Sequence, residues 1–130
     1  MAFYLDTSAF LKLVVAEAES AALRAWSTDP AVQLASSDLL RTEALRTARR
    51  HSPEALFQAR TLLDGVALMS VTPDVCERAA ELDPSILRSL DALHLASALM
   101  LGDSLEGVVT YDTRLAAACA VVGVPVIAPR

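Results

Sequence analysis

Four acidic residues sit where a chain with an oily interior has least reason to place them. Asp6 ends an N-terminal apolar run, Glu43 and Asp91 lie within helix-like periodicity, and Asp112 follows the apolar run Val108 to Tyr111. A buried carboxylate is costly unless a cation or hydrogen bonds compensate it. Carboxylates repeated at strand ends and on apolar helices therefore point to a shared divalent metal, and metal held in this way can drive hydrolysis of a phosphodiester.

Each acid also has a plainer explanation. Asp6 opens DTSAFLKL, where it could cap a turn, and the Ser8 hydroxyl could bond its carboxylate or cap the next helix. Asp112 could be only the N-cap of the last long helix. Glu43 could lie on a solvated helix face beside Arg46 or Thr47, an arrangement worth about 0.2–0.5 kcal/mol. Asp91 is harder to dismiss, because the segment LDALHLASALML around it is apolar nearly all round, as in a helix covered on both faces. His94, three residues on, shares its face and could pair with it in the core; His94 is expected as support or packing and not as a metal ligand. Thr110 is placed to hydrogen-bond across to the carboxylate that ends the first strand.

Alternating strand-like and helix-like runs must position these residues. Apolar stretches bounded by turn or cap residues predict five short strands, at Phe3 to Asp6, Val32 to Ala35, Val66 to Val71, Gly107 to Thr110 and Val124 to Ile127. Helical patterns lie near residues 8 to 15, 18 to 28, 38 to 50, 53 to 63, 73 to 82, 89 to 101 and 112 to 122, with Pro53 and Pro73 marking two starts. The alternation predicts an α/β fold: one domain over residues 1 to 130, with a central parallel five-stranded sheet flanked by about seven helices. In an open parallel sheet the site lies beyond the carboxyl ends of the strands. Asp6 and Asp112 both belong at that rim, which makes neighbours of residues far apart in sequence.

Composition sets limits on partners. With 54% hydrophobic residues but only 5% aromatic, the core must be built from Leu, Ala and Val, and the apolar excess leaves room for a surface that a partner covers, so oligomerisation is expected to be possible. A net charge of −5 argues against loose electrostatic adhesion to nucleic acid. All but one of the basic residues are Arg, and Arg46, Arg49 and Arg50 cluster at the end of one helix, where guanidinium forks could grip phosphate. Favourable charge at a helix C-terminus is an equal explanation. Cys76 and Cys119 have no ligand spacing and read as small core residues. No run approaches the length of a membrane span and no secretory leader is visible, so a cytoplasmic protein with no membrane partner is the expectation.

Four segments in order, YLDTSAFLKL, SSDLLRTEALR, LRSLDALHLASAL and VVTYDTRLAAAC, followed by a final GVPVI strand, give the chain a resemblance along essentially its whole length to PIN-domain ribonucleases of the VapC toxin type. The stretch from Ala55 to Leu82 matches only in pattern. The resemblance implies an acidic site at Asp6, Glu43, Asp91 and Asp112, supporting hydroxyls at Ser8 and Thr110, and an endoribonuclease that is the toxic half of a toxin and antitoxin pair. It also implies an RNA substrate, a cognate VapB-like antitoxin that occupies the groove with a basic side chain among the acids, and a toxin homodimer or larger complex. Oxygen ligands without Cys favour Mg²⁺ or Mn²⁺ over zinc. Asp6 and Asp91 are expected as direct ligands, Asp112 on a second metal or through water, and Glu43 as the residue that orients the attacking water.

Two rival readings follow from the same residues. A PIN-like domain without catalysis could serve as an RNA-binding or assembly module, although a pure RNA binder would gain from basic side chains where these acids stand. A phosphohydrolase of the haloacid dehalogenase type also begins with Asp after a strand, but it needs a second Asp two residues on, where this chain has Ser8.

Overall fold

The first strand is the centre of the molecule because every side chain in its second half is buried. In the computed structural model, which describes all 130 residues, β1 (Ala2–Leu5) lies between β2 (Leu34–Ser37) and β4 (Leu105–Val109). β3 (Ala67–Met69) extends the sheet beyond β2, and β5 (Val126–Ile127) extends it beyond β4. The order is β3-β2-β1-β4-β5, and every pairing is parallel. Because the chain winds outward from β1 first to one edge and later to the other, the turns leaving β1 and β4 diverge, and a crevice opens between their carboxyl ends.

Seven α-helices flank this sheet: α1 (Thr7–Val14), α2 (Ser20–Ser27), α3 (Asp38–His51), α4 (Pro53–Leu63), α5 (Pro73–Glu81), α6 (Ser89–Leu99) and α7 (Thr113–Val121), with a short 3₁₀ turn at Gly102–Ser104. Fold class, strand count and helix count agree with the sequence pattern. Local chemistry explains the boundaries: the Ser52 and Thr72 hydroxyls accept from the Ala55 and Val75 amides, each with proline at the first helical position.

Strand alternation sorts the core into two layers. Tyr4 pairs with Val108 and Leu5 with Val109 across β1 and β4. Leu5 and Val109 face a cluster built with Phe10, Leu23, Leu40 and the alanines Ala44, Ala48, Ala55 and Ala59 of α3 and α4. Tyr4 and Val108 face the other way, onto Leu95 of α6 and Leu115, Ala118 and Cys119 of α7. A smaller cluster of Val75, Ala79, Ala92 and Ala96 joins α5 to α6. The stacked alanines let helices approach closely without large side chains, which is how so few aromatic residues fill this core.

Two expectations shift. β2 begins two residues later than Val32 and runs through Ser37. The chain around Pro30 is first folded by Asp29, whose carboxylate accepts from the Ala31 amide and whose carbonyl accepts from the Val32 amide. The serines that follow suit a buried strand because Ser36 Oγ donates to the Leu5 carbonyl at 2.7 Å. Cys76, read from sequence as a core residue, is exposed, whereas Cys119 is fully buried. The buried stripe of α5 is Val75 and Ala79, four apart, and Cys76 lies about 100° around the helix from Val75. Burial pushes the Cys119 thiol up to about 11.

Gly107 is where β4 and β5 come closest. A Cβ there would lie 3.0 Å from the Pro125 carbonyl oxygen and 3.1 Å from the Ile127 side chain. That oxygen cannot retreat freely, since it accepts the 2.9 Å hydrogen bond from the Val108 amide that holds β5 to the sheet. Gly107→Ala is therefore expected to destabilise the fold by about 1–3 kcal/mol, the usual cost of overpacking. Urea unfolding measures it; an unchanged midpoint would show that β5 yields without cost.

Candidate active site

Asp6 follows the last residue of β1 and is the N-cap of α1. Its Oδ1 accepts from the Ala9 amide at 2.9 Å and from Ser8 Oγ at 2.8 Å, while Oδ2 accepts from Thr110 Oγ1 at 2.6 Å. Asp6 is only 4% exposed. Burial raises its pKa, against the pull of the Thr110, Ala9 and Ser8 hydrogen bonds and the nearby His94. Thr110 comes from the end of β4, so this bond crosses between the two turns that diverge at the sheet's carboxyl rim. One further bond crosses between the turns and another stiffens the second of them. Thr110 Oγ1 accepts from the Asp112 amide at 3.0 Å, and Ser8 Oγ accepts from the Tyr111 amide at 3.3 Å.

Asp112 caps α7, with Oδ1 taking the Arg114 and Leu115 amides at 2.8 and 3.0 Å. Its other oxygen makes no hydrogen bond within the protein. Asp91 lies in the first turn of α6, where the helix dipole favours an anion. It is half-buried, and its carboxylate has no hydrogen bond or ion pair at all. Burial first, and then the negative charge of Asp112, push its pKa up; Glu43 adds to the rise, while His94 and Arg88 oppose it. The expectation that the helix around Asp91 is covered on both faces is corrected at its start: α6 buries the turns after Asp91 and leaves its first turn at the rim, so that Asp6 and not Asp91 is the deeply buried acid.

Glu43 points inward from α3. Its Oε1 accepts from Thr7 Oγ1 at 2.6 Å and lies 2.7 Å from His94 Nε2. Burial works to raise its pKa, but these two bonds and the charge of His94 outweigh it and hold the carboxyl below its ordinary value. His94 therefore pairs with Glu43, not with Asp91. The Nδ1 atom of His94 meets the Tyr4 hydroxyl at 2.8 Å, and that hydroxyl reaches Ser37 Oγ at 3.1 Å. An ionised carboxylate only accepts, so Nε2 carries the proton shared with Glu43. Sequence reasoning missed Thr7 and Tyr4. A hydroxyl beside Asp6 and a lone tyrosine in the central strand were the available signals, but neither reveals a partner on α3 or α6.

The arginine cluster divides. Arg46, Arg49 and Arg50 are all exposed near the end of α3, and none forms an ion pair. Arg46 and Arg50 lie within about 60° of Glu43 around the helix axis, whereas Arg49 is turned about 120° away. Arg50 donates to Thr47 Oγ1 at 3.2 Å.

Donor chemistry bears on whether this site fits a metal. Asp91 and Asp112 offer free oxygens and repel each other, a combination that a divalent cation relieves. No set of three or more acidic, His or Cys side chains converges to hold an ion by itself. The arrangement suits a hard cation that keeps several waters and takes one or two carboxylates, as Mg²⁺ does.

The pKa of Asp91 also sets the sign of a stability effect. The native protein holds the Asp91 proton more tightly than an unfolded carboxyl with its ordinary value of 3.8 does, so ionisation above that pH weakens the fold. Asp91→Asn is expected to be more stable than the parent at pH 7 in chelator. The gain is up to about 0.5 kcal/mol, small because solvent screens a partly exposed group. It should shrink as pH falls and vanish well below 3.8, where the proton is present in both states. Urea titrations across pH measure this; a loss of stability at pH 7 would show that Asp91 is compensated within the protein.

Comparison with known proteins agrees with this geometry. The PIN domain family model matches residues 3–121. Ribonuclease VapC47 of Mycobacterium tuberculosis is 41% identical, over 97% of this chain and 96% of that protein. Ribonuclease VapC46 of the same species is 42% identical, over 98% of each. Among solved structures, a toxin-antitoxin complex from Klebsiella pneumoniae contains a chain of the same fold, with a TM-score of 0.71 at 23% identity, covering 99% of this chain and 98% of that one. The acids at the β1 and β4 rim thus stand on a fold and a sequence of one kind: the chain belongs to the PIN domain family, and within it to the VapC proteins.

Proposed function

We propose that this protein is an endoribonuclease that cleaves RNA phosphodiester bonds with Mg²⁺ or Mn²⁺ and acts as the toxin of a toxin-antitoxin pair. The observation that carries the reading is Asp91, a carboxylate without any protein partner, set against Asp112 beside an Asp6 that three donors hold in place. Relatives that are ribonucleases by name, at 41 and 42% identity, support it and weigh against a silent RNA-binding module. No helix is long and apolar enough to cross a membrane, and a cytoplasmic setting belongs to the proposal.

In this reading Asp6 and Asp91 hold metal directly, and Asp112 contacts a second ion or acts through water. Bound metal would lower the pKa of a water and neutralise charge on the leaving oxygen. The protein's own part is positioning. Thr110, Ser8 and the Ala9 amide fix the Asp6 carboxylate in one orientation. Glu43 is clamped through Oε1 by Thr7 and His94, which leaves Oε2 to align the attacking water and accept its proton. Arg46 and Arg50, on the Glu43 face of α3, are the first candidates for contact with RNA phosphates, with Arg49 further round the helix. A VapB-like antitoxin with a basic side chain is the proposed inhibitor, since a cation among these acids would satisfy the same free oxygens that metal does. A toxin homodimer, alone or in a larger complex with antitoxin, completes the proposal.

RNA incubated with the purified chain should be cut only when Mg²⁺ or Mn²⁺ is present. Asp6→Asn and Asp91→Asn should each reduce the rate at least about a hundredfold, in line with loss of a group that stabilises the transition state. Equal activity in parent and both variants would sink the nuclease reading. Mn²⁺ calorimetry discriminates independently, because a module without catalysis has no need to bind millimolar metal.

His94→Gln tests the clamp. It should lower kcat about 10–100-fold, as loss of a supporting partner commonly does. KM and the Mn²⁺ affinity should stay near those of the parent, because His94 acts through Glu43. Weakened Mn²⁺ binding with unchanged turnover would instead assign His94 to the metal.

A further inference from the structure

The acids do not account for an open cleft beside them. It has a volume of about 350 Å³ and lies between the segment that enters α6 and the outer face of α7, bounded by Pro84, Ile86, Leu87, Arg88, Arg114 and Ala117. Its two cations come from the same places as two of the acids. Arg88 is the N-cap residue of α6, three residues before Asp91, and Arg114 follows Asp112 by two residues in the first turn of α7.

Three observations define what the cleft accepts. First, Arg88 and Arg114 are exposed and form no ion pair or side-chain hydrogen bond, although carboxylates flank both; the ion pairs of this protein engage Lys12, Arg41, His94 and Arg130 instead. Second, Ile86 is 89% exposed, the highest value among the large exposed hydrophobic residues, and it stands on the wall of this cleft with Pro84 and Leu87. Third, apolar side chains and two guanidinium groups line the same cleft, a combination that complements an aromatic ring attached to phosphate. The ring lies on aliphatic side chains or on the guanidinium plane, and the forked N–H groups take the phosphate oxygens. A space of this volume is in the range of small-ligand sites.

We propose that this cleft is a nucleotide subsite, which holds one unpaired nucleotide of a single-stranded RNA next to the phosphodiester at the acids. The proposal rests on the nuclease reading for its substrate and adds where the strand leaves the acids. Ile86, Leu87 and Pro84 receive the base, and Arg88 and Arg114 hold the phosphates on either side of it. Because a stacked base in an apolar notch is sensed by shape, Ile86 becomes a determinant of which nucleotide is preferred at that position.

Binding is tested without cleavage, so a failure to detect nuclease activity and a failure of this subsite are separate results. The full chain labelled with ¹⁵N is titrated with adenosine, guanosine, cytidine and uridine 3′,5′-bisphosphates, and in parallel with inorganic phosphate. At least one bisphosphate should shift the amides of Leu87, Arg88, Arg114 and Ala117. The double variant Arg88→Gln/Arg114→Gln should weaken it about tenfold or more through loss of charge-assisted bonds. Ile86→Ser should weaken the bisphosphate and leave the response to phosphate unchanged. Both variants alter exposed side chains, and an otherwise superimposable amide spectrum confirms their fold. The proposal is overturned if inorganic phosphate binds as tightly as every bisphosphate, if the shifts map elsewhere, or if the double variant binds as the parent does.

Discussion

The hydrogen bond from Thr110 to Asp6 is the constraint on which the site depends. It joins the ends of two adjacent parallel strands whose chains then part, one into α1 and the other into α7, just beyond the last backbone bond between them, from the Asp6 amide to the Val109 carbonyl. A carboxylate this buried is tolerable only with its lone pairs engaged, and the turn supplies two donors, from Ser8 and the Ala9 amide, while β4 supplies the third. The bond is charge-assisted and short, which makes it strong and directional. Ser8 and Thr110 each also accept an amide from the region of the opposite or following turn, so that β1–α1 and β4–α7 form one stitched unit. Asp112 inherits its position from that stitch.

A second network ties the site to the core. Tyr4 sits on the central strand with no exposed surface, and its hydroxyl links Ser37 of β2 to His94 of α6, which in turn meets Glu43 of α3. Four elements on both sides of the sheet therefore agree on the orientation of one carboxylate. The cost of burying His94, Tyr4 and Ser37 is met because no buried side-chain polar atom lacks a partner. Tyr4 also packs edge-on against the His94 ring, with centroids 5.7 Å apart, so packing and hydrogen bonding restrict the imidazole together.

Much of this was legible in the chain because it is local or periodic. Short apolar runs followed by Asp place carboxylates at strand ends, and parallel topology then gathers Asp6 and Asp112 without any knowledge of their contacts. The Thr110 bond to Asp6 was accessible by the same logic, since paired strand ends bring Thr110 beside Leu5 and Asp6. What escaped is what depends on the angle and depth at which helices pack. His94 shares a face with Asp91 on any helix diagram, yet the seating of α6 on the sheet turns the imidazole towards α3 and Tyr4. The burial of Asp91 was overstated for a related reason: an apolar helix predicts cover along its length but not where the cover stops. Cys76 shows the same blind spot on α5, where composition says core and the helical angle says surface.

The four carboxylates are not equivalent, and their hydrogen bonds rank them. Asp6 and Glu43 are oriented by protein donors, so their positions are set before anything binds. Asp112 spends one oxygen on the α7 amides and keeps the other. Asp91 spends none, and the charges of Asp112 and Glu43 act against its ionisation. Free energy is thus stored unevenly: the buried acids are already compensated, while the rim pair carries a repulsion that a proton on Asp91 or a nearby cation relieves. Differential affinity resides where the protein has left a charge unpaired, so in the proposed nuclease Asp91, joined by the free oxygen of Asp112, would gain most from a cation, while Asp6 would offer it a ligand already fixed in orientation and Glu43 would set the geometry of the attacking water.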